Sequence, residues 1–256
     1  MATLVELQTR SQYGNSIDLP SFTSTAGRVL LLAIARSKTG SPTSITTAHG
    51  AFTRIRLVDS VNRNLEVWAT ISTGATATLE VNYSNNSSGW GSVIEADGLD
   101  ATSIAAAIPQ SNIIDQYNNG GSGPHPNTVT LNAFQQASNA VIIFGSPSGG
   151  NDTFTGEAGY SEITSIIQSG ERLSGWWQNS EDTTPTLTTS ANFRTIKCIA
   201  LELQQAGGGG GVELNVTESL NPFQDSSLLS VSYNVSAIIT EQLGSFSDFS
   251  QVNITL

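Results

Sequence analysis

The chain reads as all-β, a jelly-roll-like sandwich of two antiparallel sheets built from a duplicated half and followed by a small C-terminal β unit. Three observations predict it. Short apolar or alternating runs are separated by Gly, Pro, Asn and Ser clusters, as strands and turns require. Charged residues make up only 12% of the 256-residue chain while glycine reaches 24, a balance that suits turns better than long helices. The third is a repeat of strand signals at matched spacing.

The strands follow in order. Gly27-Arg-Val-Leu-Leu-Leu-Ala-Ile-Ala35 is continuously apolar and predicts a central strand buried on both faces. Leu65 to Ile71 alternates, with Leu65, Val67, Ala69 and Ile71 on one face and Trp68 on the other. Thr76 to Tyr83 alternates as well, and Trp90 to Ala96 closes the first half. Ala101 to Ile108 allows either a helical turn or a β-arch before Pro109. Ala140-Val-Ile-Ile-Phe144 opens the second half. Trp68 precedes Leu79, and Trp176 precedes Leu187, by the same interval, and each half ends in a strand led by an aromatic, Trp90 or Phe193. Interleaving the two halves would give two face-packed sheets. Cys198 lies in an alternating run, so it reads as a buried thiol rather than a nucleophile.

Five glycines, Gly207 to Gly211, end this domain. The expected organisation is a β-sandwich over 1–205, a Gly-rich linker over 206–211, and a small β segment over 212–256. That last segment alternates well but is too short to bury a core alone. Val212, Leu214 and Val216 at its start, and Val252, Ile254 and Leu256 at its end, would leave a sticky strand edge. The expectation is an anchoring or oligomerisation element, with homo-oligomer formation; an extra sheet docked on the main domain is the alternative.

Charge narrows the function classes. Acidic residues outnumber basic ones 21 to 10, for a net charge of −11, which argues against a nucleic-acid partner. No apolar run is long enough to cross a membrane, and Met1 to Arg10 lacks a basic-then-apolar leader. No catalytic constellation stands out. The two histidines, His49 and His125, lie in loops without a partner at metal-ligand spacing. Gly145-Ser-Pro-Ser-Gly149 fails the nucleophile-elbow pattern. The carboxylates, among them Glu157, Glu162, Glu181 and Asp182, are not paired across a cleft by any spacing rule. No metal or other cofactor is expected. The aromatic candidates are Trp177, Tyr160 and Tyr117. Trp177 points opposite to Trp176. If that face meets solvent, it offers a platform for a host-surface glycan or a partner chain. The other reading buries both rings.

Taken together, Gly27 to Ala35, Gly40-Ser-Pro-Thr43 with the Phe52 strand, Leu65 to Ala75, Ala77 to Val81, Ile94 to Asp100, Asn139 to Phe144 and the closing Phe193 to Leu203 strand resemble one recurrent pattern. It is that of β-sandwich domains in phage virion structural proteins: fibre, tail and head accessory or decoration proteins. The resemblance covers roughly residues 1–205 and rests on strand signatures. Where that family commonly has Gly-Trp, this chain has His49-Gly-Ala-Phe52. The resemblance, which extends to some bacterial surface proteins, implies a non-enzymatic building block on a virion or cell surface; the expectation is the virion, with other capsid or tail proteins as partners. A host-glycan adhesin module is the alternative.

Overall fold

A computed structural model describes residues 1–37, 42–60, 63–118, 124–147, 153–168, 171–190 and 194–207. The chain divides into two compact units, Met1–Gly208 and Gly209–Leu256. The segment 212–256, with the six apolar residues singled out in it, lies outside the described residues, as do Gly208 to Gly211 of the linker.

The first unit is antiparallel β throughout. Its first half holds β1 (Thr3–Thr23), β2 (Val29–Arg36), β3 (Ser44–Thr47), β4 (Thr53–Ser60), β5 (Arg63–Ile71) and β6 (Thr76–Asp97). The second holds β7 (Ser111–Asn118), β8 (His125–Thr128), β9 (Ala140–Pro147), β10 (Phe154–Gly156), β11 (Ser161–Gln168), β12 (Glu171–Gln178), β13 (Thr186–Thr189) and β14 (Arg194–Leu203). A single helical turn, α1 (Ile104–Ala107), joins them. It is capped by Ser103, whose hydroxyl accepts from the Ala106 amide at 3.0 Å.

Both halves have the same topology. The main sheet runs β1-β6-β2-β5-β4 in the first and β7-β14-β9-β12-β11 in the second. A three-strand flap runs β3-β6-β1 in the first and β10-β13-β8 in the second. In the first half, long β1 and β6 serve both layers, whereas the second half splits each into two strands. This connectivity is a jelly roll. The duplication is therefore physical, but the halves do not interleave. Each keeps its own sheets, as elements close in sequence usually neighbour one another in space.

Three hydrophobic clusters follow from strand alternation. On β2, Leu30, Leu32 and Ile34 face the flap of their own half, where Ile17, Leu19, Phe22, Leu79 and Val81 meet them. On β9, Val141 and Ile143 do the same against Phe154 and Leu187. The opposite faces, with Leu31, Ala33, Val67 and Ile94 from one half and Ile142, Phe144, Ile199 and Leu201 from the other, form one central cluster. Every residue of β2 and β9 is buried, as the continuous apolar runs predict.

Across the central cluster β1 meets β11, β6 meets β12, β5 meets β14 and β4 meets β7. Since β7 is the counterpart of β1 and β11 of β4, each contact exchanges with another. The two jelly rolls pack as a two-fold pair would. Arg56 spans this boundary, donating from Nε to Ser111 Oγ at 2.7 Å and from a terminal nitrogen to the Ser111 carbonyl at 2.7 Å. Arg63 likewise reaches the Pro147 carbonyl. No described helix is long and apolar enough to cross a membrane.

Candidate functional site

The duplication supplies an internal comparison. Where both halves carry the same buried polar device, the fold explains it. Glu95 and Glu202 are such a pair. Glu95 accepts from the Thr25 amide (2.6 Å), the Thr25 hydroxyl (3.1 Å) and Arg28 (2.8 Å). Glu202 accepts from Gln110 (2.6 Å), Asn139 (2.5 Å) and the Gln135 amide (3.3 Å). Each carboxylate fastens the loop that leads into the central strand of its half. Multiple donors offset the cost of burying the charge.

A second group differs between the halves. The β2–β5 register sets Leu32 opposite Trp68, Ile34 opposite Glu66 and Arg36 opposite Asn64. The β9–β12 register sets Ile143 opposite Trp176 and Gly145 opposite Ser174. Thus Glu66 corresponds to Ser174, and Arg36 to Pro147. The first half holds a carboxylate and a guanidinium at these two positions, where the second half has Ser174 and Pro147; the second half's buried guanidinium, Arg172, stands elsewhere on the Ser174 face of β12 and donates to Ser165 Oγ at 2.8 Å. Glu66 is fully buried and Arg36 is 1% exposed.

Their surroundings are specific. Glu66 accepts from Asn64 Nδ2 at 3.1 Å and Trp68 Nε1 at 3.2 Å, with Arg54 at 3.9 Å. Burial pushes its carboxyl up to about 7, against the lesser opposing effect of Trp68. Arg36 stacks over the Tyr83 ring at 3.5 Å and donates to Asn85 Oδ1 (3.1 Å) and to the Asn85 carbonyl (2.8 Å). Tyr83 is buried and its hydroxyl has no hydrogen-bond partner; desolvation first, and Glu66 second, push its ionisation well above the ordinary tyrosine range. Sequence reading passed over these residues. The available signal was Glu66 on the Trp68 face of a strand whose two faces are both covered.

Two of the residues expected to contact a partner, Trp177 and Tyr160, are not brought together. Trp177 is half-buried and packs against the central cluster, so its ring faces the sheet-to-sheet interface. Trp176 and Tyr160 pack instead against the flap cluster of the second half, with Gly156 lying tight against the Trp176 ring. Trp68 occupies the matching place in the first half. The Tyr160 hydroxyl donates to Asp182 at 2.7 Å. Desolvation and then that bond push its ionisation upward. Glu157, which accepts from the Thr186 amide at 2.8 Å, is also raised, first by burial and then by Asp182. Tyr117 sits opposite Thr195 in the β7–β14 ladder; its side chain lies outside the described residues.

His49 is buried, stacked on Phe22 at 4.0 Å between ring centroids. It bonds Ser24 Oγ through Nδ1 (2.9 Å) and the Ala77 carbonyl through Nε2 (3.0 Å). Cys198 is buried in β14, with its thiol pushed upward by desolvation. Among the described residues no three His, Cys, Asp or Glu side chains converge as a metal site would require. No family model, curated protein or solved structure matches this chain.

Proposed function

We propose that the chain is a non-enzymatic structural protein exposed on a phage particle, a capsid decoration, head-fibre or tail accessory protein, with residues 212–256 mediating assembly. The observation that carries this reading is the structural use of three buried polar groups. Glu95, Glu202 and His49 are each bound to backbone or side chains of their own half, where they fasten loops and layers. Two jelly rolls locked face to face make a stiff block, the property a surface building unit needs. The virion assignment itself rests on the strand-pattern resemblance across residues 1–205.

Electron microscopy of purified particles, labelled with an antibody against residues 1–205, tests the location. Label over the head or tail supports the reading, and no particle-associated label refutes it. Deleting residues 212–256 is expected to leave a folded block that no longer joins the particle.

A further inference from the structure

The second half folds in the same topology without a carboxylate or guanidinium at the Glu66 and Arg36 positions. The topology therefore does not require a charge at these two positions, although the second half buries Arg172 elsewhere on the same face. We propose that Glu66 and Arg36 form a proton-operated latch in the first jelly roll. With Glu66 neutral, Arg36 stays fastened to Asn85. With Glu66 ionised, Arg36 is drawn from Asn85 toward the carboxylate, and the bend of β6 loosens.

The geometry gives Arg36 two competing acceptors. Arg36 and Glu66 sit on one face of the β2–β5 pair, diagonal to each other, since Arg36 opposes Asn64 and Ile34 opposes Glu66. Diagonal neighbours in an antiparallel pair lie within reach of long side chains. The other acceptor, Asn85, occupies the stretch between Asn82 and Ser87 where the β1–β6 register shifts. That stretch carries β6 from the flap to the main sheet, so it is the joint between the two layers.

Of the groups facing Glu66, one cation, Arg54, already pairs with the carboxylate, and it does so from a part-exposed position. From its own strand come two neutral donors, Asn64 and Trp68. From β4 come Arg54, at 3.9 Å with a 42% exposed side chain, and the like charge of Asp59 farther away. From β6 comes the unbonded Tyr83 hydroxyl, and from β2 comes Arg36. Arg54 acts on the carboxyl more strongly than Arg36 with the side chains as they stand, and Arg36 is the buried cation able to move closer to an ionised Glu66. Burial places the carboxyl's titration near neutrality, so a modest pH change would operate the latch.

The test uses the full chain. Amide exchange across residues 83–88, referenced to intrinsic rates, is expected to accelerate by about tenfold between roughly pH 5.5 and 8.5, while β9 and β12 show no such change. The Glu66 carboxyl carbon resonance should titrate with a midpoint near 7. Glu66→Gln should abolish the acceleration. A flat exchange profile, a Glu66 midpoint in the ordinary carboxylate range, or an acceleration that persists in Glu66→Gln would each overturn the latch. The resonance measurement needs no variant, so it decides the matter even if Glu66→Gln folds poorly.

Discussion

Single buried side chains in this protein hold sharply different energies. Glu66 is raised from its ordinary 4.5 to about 7, so the folded state binds a proton more tightly than the unfolded one. Its penalty is absent at pH below 4.5, grows between 4.5 and 7, and saturates above that. The shift converts to about 3 kcal/mol. Glu66→Gln should therefore stabilise the protein by about that amount at pH 8 and scarcely at pH 4, read from urea denaturation at each pH. The His49 side chain contributes by packing and hydrogen bonding, being stacked and bonded at both ring nitrogens. His49→Ala should cost about 2–4 kcal/mol through the cavity and the unpaired Ser24 hydroxyl, measurable as a lower denaturation midpoint.

At the scale of elements, matched strands differ where their flaps differ. Ile34 fills the first half's flap cluster, but its counterpart Gly145 must admit Leu187 and Phe154. A methyl there would stand 2.8 Å from Leu187 Cδ1 and 2.9 Å from Phe154 Cζ. Gly145→Ala should destabilise the second half by about 1–3 kcal/mol through overpacking, seen as a lowered thermal midpoint. Edge strands show a second design. β1, β4 and β11 carry register shifts at Glu6/Gln8, Arg54/Arg56 and Glu162/Thr164. Such bulges twist an edge away from pairing with a neighbouring molecule.

For the whole molecule, the central cluster makes each half depend on the other. A fragment of residues 1–100 would expose Val29, Leu31, Ala33, Val67 and Ile94, all fully buried in the pair. It should associate as a dimer through that face, detected by sedimentation; a stable, folded monomer would contradict the packing account. By contrast, a chain ending at residue 207 keeps all three clusters and should unfold in a transition like that of the full chain.

The all-β class, the central strands and the repeat were legible in the residues. Val29 to Arg36 and Ala140 to Pro147 are covered on both faces, and a continuous apolar run states that directly. Trp68 and Trp176 announced equivalent environments through equal spacing, because alternation fixes the face of a strand residue. β1 was not legible: most of its residues are at least partly exposed, and its strand form comes from pairing along β6 rather than from its own pattern. Nor was the site. Alternation could set Trp177 opposite Trp176, but it could not say whether that face met solvent or a second sheet. It could mark Glu66 as sharing the face of Trp68, but not that a flap covers it or that Arg36 bonds Asn85. Sequence periodicity determines which side chains share a face. What lies against that face, and hence which charges are buried and what they touch, depends on contacts between distant segments, which only the tertiary structure decided.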